Sequence, residues 1–188
     1  MITTMITAMA ISGGTAWADE FEPGLRRVLV NQIVPLTKEP VLIAAVKAQN
    51  EAHTGLDAAA IDRLDKQWRA EAKAGKGPLI ETVLANSLSQ YLVRRRAESK
   101  GLFLEIFVMD NKGLNVGQSN VTSDYWQGDE AKWQKSYGAG ANGVLIDQVD
   151  FDDSAKAFVS QVSATIVDPA DGQPIGAITI GVNVELVE

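Results

Sequence analysis

KAFVSQVSATIVDPADGQPIGAITIGVNV, Lys156 to Val184, is the stretch on which the fold turns. In an extended chain, Phe158, Val162, Ala164 and Ile166 fall on one side, and Val159, Gln161, Ser163, Thr165 and Val167 on the other. DPADG, Asp168 to Gly172, carries turn residues. Beyond it Ile178, Ile180, Val182 and Val184 share one face, and Ala177, Thr179, Gly181 and Asn183 share the other. Two alternating runs joined by a short turn predict an antiparallel pair. Each strand has one apolar face and one face of small and polar groups. The second face suits the floor of a ligand cavity, and it equally suits solvent.

Working upstream, VLIDQV (Val144 to Val149) and LFLEIFVMD (Leu102 to Asp110) read as further strands. Asp110-Asn111-Lys112-Gly113 is a turn, after which Leu114 to Gly117 resumes an extended path. The first half of the chain changes period. Leu25, Val28, Leu29, Ile33 and Leu36 recur at helical spacing, and Pro35 and Pro40 predict a bend at 35–40. Thr37 is expected to cap a second helix carrying Val41, Leu42 and Val46. Asp57 is expected to cap a third, with Ile61, Leu64 and Trp68 on one face. A fourth is expected over 79–99, ending in RRRAESKG. Helices followed by a meander of strands predict an α+β fold with an antiparallel sheet. The helical part covers about 25–100 and the sheet part about 101–188.

The 188 residues are 46% hydrophobic, enough for a full core. The net charge of −7 disfavours nucleic acid as a partner. The absence of cysteine removes disulfides, thiol catalysis and thiolate metal sites. His53 is the single histidine and reads as an exposed or capping group. Residues 1–18, MITTMITAMAISGGTAWA, hold no charged side chain and end in Ala16-Trp17-Ala18. Small residues at −3 and −1 of a cut after Ala18 predict a signal peptide. No Lys or Arg stands near Met1, so either the start lies further upstream or the amino terminus supplies the positive charge. The expected product is a soluble periplasmic domain, 19–188.

SNVTSDYWQGDEAKWQKSY, Ser119 to Tyr137, holds four of the chain's seven Trp and Tyr. Tyr and Trp join a flat apolar body to a hydrogen-bonding edge, which suits a pocket lid. The same residues equally suit a core staple. Trp133 and Tyr137, four apart, can share one side of a helix. Asp129 and Glu130 suit its N-terminus without any ligand, and Lys132 and Lys135 read as a solvated face.

The stretches FVMDNKGLNVG (Phe107 to Gly117), TSDYWQGDEAKW (Thr122 to Trp133) and IGAITIGVN (Ile175 to Asn183), with AIDRLDKQWRAE (Ala60 to Glu71) upstream, resemble Cache-type sensor domains of the single-Cache, PAS-like kind. The resemblance covers residues 25–188. It implies long N-terminal helices packed on a PAS-like antiparallel sheet. It also implies a small organic acid, amino acid or similar metabolite held above the sheet, and signalling through a membrane receptor or sensor kinase, with a homodimer as one form. No second membrane segment or output domain follows in this sequence, so a free-standing binding domain or a subunit is expected. The candidate ligand-binding residues are Gln118, Ser119, Asp124, Tyr125, Trp126 and Trp133 from the loop, Gln161, Ser163 and Asn183 from the sheet, and Asp147. No cofactor is expected. DQVDFDD, Asp147 to Asp153, lacks the oxygen spacing and central Gly of an EF-hand, so no metal is expected. No nucleophile elbow or phosphate loop appears, which argues against an enzyme. The alternative is a structural or protein-interaction module that keeps the fold and has no working pocket.

Overall fold

The computed structural model describes residues 14–187. Most of the expected leader, residues 1–13, lies outside them. Helix α1 (Gly14–Val28) runs through a π-helical turn, Leu29–Ile33, into α2 (Val34–Leu36). The wide turn immediately precedes Pro35, whose ring and missing N–H break regular α-helical bonding. The bend falls after Leu36, where the axis turns by 68° into α3 (Pro40–Ala52). Thr37 does not cap α3. It closes α2, its hydroxyl donating to Val34 O at 2.8 Å. Pro40, with φ already helical, opens α3 behind Glu39.

Asp57 caps α4 (Ala58–Ala74) by accepting from Ala60 N at 2.7 Å, as its position predicts. Gly75, at φ 74°, ends α4 in the left-handed conformation that glycine adopts most readily. The single helix expected over 79–99 is two, α5 (Pro78–Ala85) and α6 (Ser87–Glu98). Asn86 is extended between them. Its Oδ1 accepts from Ser89 N at 2.7 Å and its Nδ2 donates to Val116 O at 2.8 Å. An asparagine cap and a tertiary bond together outweigh one continuous helix. Among the described residues, no single helix is long and apolar enough to cross a membrane.

Strands β1 (Phe103–Met109), β2 (Asn115–Gln118), β3 (Val144–Asp152), β4 (Ala157–Val167) and β5 (Pro174–Asn183) form one antiparallel sheet in the order β2-β1-β5-β4-β3. Strand β3 runs past Val149, where the sequence reading ended it, with a bulge between Ile146 and Val149. The fold is α+β, as the pattern predicts. The β4–β5 register sets Ser163 opposite Thr179, Thr165 opposite Ala177 and Gln161 opposite Gly181, so the two small-residue faces coincide. The other face, with Ile106, Val162, Ile166, Ile178, Ile180 and Val182, is buried under Leu25, Leu29, Ile33, Leu42, Leu88 and Leu92 of the helices. Each such aliphatic side chain contributes about 1.5–3 kcal/mol by leaving water.

Asp110 ends β1 and is fully buried. Oδ1 accepts from Lys112 N and Leu114 N, at 2.8 and 2.9 Å, and so forms the β1–β2 turn. Oδ2 accepts from Gln49 Nε2 at 3.0 Å and lies 2.9 Å from His53 Nδ1, both on the end of α3. His53 is therefore a tertiary partner and not an exposed group. Asp110→Ala leaves these donors buried and unpaired. We expect a loss of about 3 kcal/mol, read as a lower urea midpoint, and a smaller loss for Asp110→Asn, which keeps one acceptor oxygen.

Candidate functional site

The sheet face away from the long helices carries Glu105, Phe107 and Met109 of β1, Ala177, Thr179 and Gly181 of β5, and Gln161, Ser163 and Thr165 of β4. The segment between β2 and β3 crosses this face, with a short helix α7 (Ala131–Gln134) and a 3-10 turn, Tyr137–Ala139. Cover and sheet meet differently at the two ends.

At the Met109 end they are packed. Trp133 and Tyr137, with ring centroids 4.9 Å apart, lie on Phe107, Met109 and Ala177. Trp133 Nε1 donates to Asp110 O at 3.1 Å. Thr165 Oγ1 donates to Gly140 O and Gly143 O, at 2.9 and 3.1 Å. Gly143 sits so close to Ser136 that a Cβ would overlap its carbonyl. In the middle, Ser163 and Thr179 are fully buried and pair with each other at 2.9 Å. Lys132 is not a solvated group. Its side chain is 13% exposed, with Nζ 5.5 Å from the centre of the Phe107 ring and 2.8 Å from Glu130 Oε2.

At the Glu105 end the face opens. Two adjoining clefts, of about 500 and 300 Å³, share Glu105, Asp152 and Val159. The larger also reaches Arg96 of α6, Asn120 and Val121, and the smaller reaches Gln161 and Asp150. Gln161 Nε2 donates to Glu105 Oε1 at 3.0 Å. Opposite Glu105 stands Gly181, where a Cβ would lie 2.8 Å from the Glu105 Cγ. The missing side chain makes room for the carboxylate. Burial pushes the Glu105 carboxyl above its usual range, against the hydrogen bond from Gln161 and the charge of Lys132, with Asp152 and Glu130 adding to the rise.

The candidates from sequence fall in separate places. Gln161 and Ser163 lie on the sheet face, and Trp133 covers its packed end. Gln118, opposite Phe107, is fully buried under the same cover, and its Nε2 has no partner among the described residues. Asp124, Tyr125 and Trp126 are elsewhere, against α4. Tyr125 is buried and stacks on Trp68, with centroids 5.2 Å apart. Asp65 Oδ1 accepts from both Tyr125 N and Trp126 N, at 2.9 and 3.0 Å. Trp126 Nε1 donates to Lys112 O at 2.8 Å, and Asp124 lies 3.2 Å from Arg69. Ser119 Oγ accepts from Ile106 N at 2.8 Å and extends the β1–β2 pairing. Asn183 caps the final 3-10 turn, Val184–Leu186, by accepting from Glu185 N at 3.1 Å. Asp147 is exposed at the β3 bulge and borders the smaller cleft.

Sequence reasoning passed over Glu105, Asp152, Asn120 and Arg96. Glu105 left a signal, being the single charge inside LFLEIFVM, on the face of Phe107 and Met109. Among the described residues, no group of three His, Asp or Glu is placed to hold a metal ion.

No family model matches this chain, and no curated protein matches it. Solved structures do. The sensory domain of the Campylobacter jejuni chemoreceptor Tlp3 with isoleucine bound aligns at 16% identity over 88% of this chain, with a TM-score of 0.40. The sensor domain of the Vibrio cholerae histidine kinase DctB aligns at 11% over 92%, also with a TM-score of 0.40. The Escherichia coli DcuS sensor domain aligns at 20% over 67%, again at 0.40, and 92% of its own length is covered. This chain spans 63% of the Tlp3 domain and 58% of the DctB domain. The first of these is a chemoreceptor sensory domain and the second a histidine kinase sensor domain.

Glu105 bears on stability as well as on the cleft. Its folded-state pKa is raised above the unfolded value of about 4.3. Its contribution is therefore full below about pH 4 and is lost as pH rises through the folded value. Glu105→Gln removes that loss. We expect the variant to melt above the wild type at pH 7 and the gap to close near pH 4, followed by circular dichroism.

Proposed function

We propose that this protein is a periplasmic small-molecule-binding sensor domain that passes its signal to a membrane receptor or sensor kinase. Its working unit is residues 19–188, exported by a leader ending at Ala18. The observation that carries the reading is the opening at the Glu105 end of the sheet face. A cleft of about 500 Å³ is within the usual size range of a small-ligand site. It mixes apolar walls, Phe103, Val121 and Val159, with the polar groups of Glu105, Asn120 and Asp152. Such a site binds and orients a ligand without needing a catalyst.

The cover supplies a route for the signal. Its packed end is tied through Trp133 to Asp110, and Asp110 is tied to α3. A ligand that draws the cover toward Glu105 pulls on the main-chain carbonyl of the residue whose carboxylate holds the end of α3. A homodimer through those helices is one form the output takes. The packed Met109 end favours a second reading, an interaction module whose sheet face is filled by its own side chains.

The two readings differ in a simple measurement. Thermal unfolding of the full chain is followed against carboxylates, amino acids, amines and purines. A ligand that binds only the folded state at a hundred times its Kd stabilises it by about 2.7 kcal/mol, a rise of several degrees. We expect one chemical class to raise the midpoint. A flat response across all classes, in a chain that melts cooperatively, supports the interaction module instead.

A further inference from the structure

We infer that the groove between α3 and the β4–β5 turn is a binding site for an alkyl carboxylate, its chain lying on α3 and its head held by Lys38. The groove shares no residue with the sheet-face clefts, and the inference does not depend on the sensor reading.

The first ground is an apolar surface that α3 leaves uncovered. Residues 40–46, PVLIAAV, are apolar at every position, a pattern that suits a helix enclosed on all sides. This helix is not enclosed. Leu42 and Val46 are buried in the core, but Pro40 and Ala44 are exposed and Ile43 is half-buried. Pro40, Ile43, Ala44 and Lys47 stand at i, i+3, i+4 and i+7 and form one stripe along the helix. Val167, at the end of β4, and Pro169 of the turn form the other wall of a groove of about 750 Å³. That volume suits a small ligand. The two walls are tied together. Lys47 pairs with Asp168, and Asn50 Nδ2 donates to Ile175 O at 2.8 Å. Asp168 Oδ1 accepts from Ala170 N at 3.0 Å and so fixes the turn that carries Pro169. The groove is therefore preformed, and a ligand entering it meets little ordering cost.

The second ground is charge. The charged residues that line the groove are both lysines, Lys38 and Lys47, in a chain of net charge −7. Asp168, with Asp171 nearby, takes up the charge of Lys47. Lys38 differs. It is exposed beside the start of α3, and its ammonium group has no hydrogen bond or ion pair among the described residues. Its neighbour Glu39 does not line the groove, and its charge bears on Tyr91 of α6. No side chain caps α3 at this end, so the positive end of the helix dipole adds to Lys38. An apolar trough with a free cation at one end complements an apolar chain with a single negative head. Seven lining residues fall far short of the roughly 20–30 a side of a stable protein interface, which favours a small molecule over a second copy of the chain.

Compounds that share one eight-carbon chain separate the chain from the charge. Calorimetric titration of the full chain uses octanoate, octanol and octyltrimethylammonium below their micelle-forming concentrations, with acetate as the head without the chain. We expect octanoate to bind, octanol to bind about tenfold more weakly, and acetate and octyltrimethylammonium not to bind. Lys38→Gln is expected to weaken octanoate about tenfold and to leave both octanol binding and the melting temperature unchanged, since Lys38 is exposed and unpaired. Ala44→Trp fills the groove from the exposed stripe and is expected to abolish octanoate binding. Silence from octanoate overturns the site. Octyltrimethylammonium or octanol binding as tightly as octanoate overturns the carboxylate assignment, as does octanoate binding that Lys38→Gln leaves intact. Octanoate binding that survives Ala44→Trp overturns the placement on α3. Sedimentation of the same samples tests the other occupant: a dimer that Ala44→Trp disperses gives the groove to a second copy and overturns the inference.

Discussion

The buried carboxylate of Asp110 is the point through which the parts of this molecule are joined. Its two oxygens face four donors, two from its own turn and two from the end of α3. Its carbonyl takes the Trp133 indole and its own N–H pairs with Leu114 O. Turn, helix and cover are thus fixed by one residue. A carboxylate tolerates full burial only when its lone pairs are met, and here they are. Neighbouring Asn50 repeats the pattern, accepting from Asn111 N and donating to Ile175 O. The C-terminal end of α3 is in this way clamped to the β1–β2 turn and to the start of β5.

A second clamp sits on α4. Asp65 holds the backbone of Tyr125 and Trp126, and Trp68 donates to Thr122 O. Glu71 accepts from Leu79 N and Ile80 N and so closes the N-terminus of α5. The start of the cover is therefore anchored on α4 and its middle on Asp110.

The sheet was legible from sequence because its signal is local. Alternation in β4 and β5 names both faces, and the register then superposes Gln161, Ser163 and Thr165 on Gly181, Thr179 and Ala177. The cap at Asp57 was legible for the same reason. Asn86 carried its own cap signature, but the apolar period running through Leu84 and Leu88 masked it. The aromatic loop was harder to read. What decides Tyr125 is a carboxylate sixty residues away on α4, which no local pattern reveals. Lys132 looked like any surface lysine until the Phe107 ring and Glu130 took it in. Glu105 was the opposite case. One acid in an apolar strand is a readable anomaly, and only its room, supplied by Gly181 across the ladder, needed three dimensions.

Among the described residues, the outer side of β3 pairs with no strand, and the same strand carries the Ile146–Val149 bulge with Asp147, Asp150 and Asp152. An exposed edge is a template on which a further copy can dock and, repeated, grow a fibre. Here a second β3 would bring carboxylates against carboxylates, and the bulge would break the ladder it needs. The acidity of this strand therefore keeps one copy's edge from adding to another's.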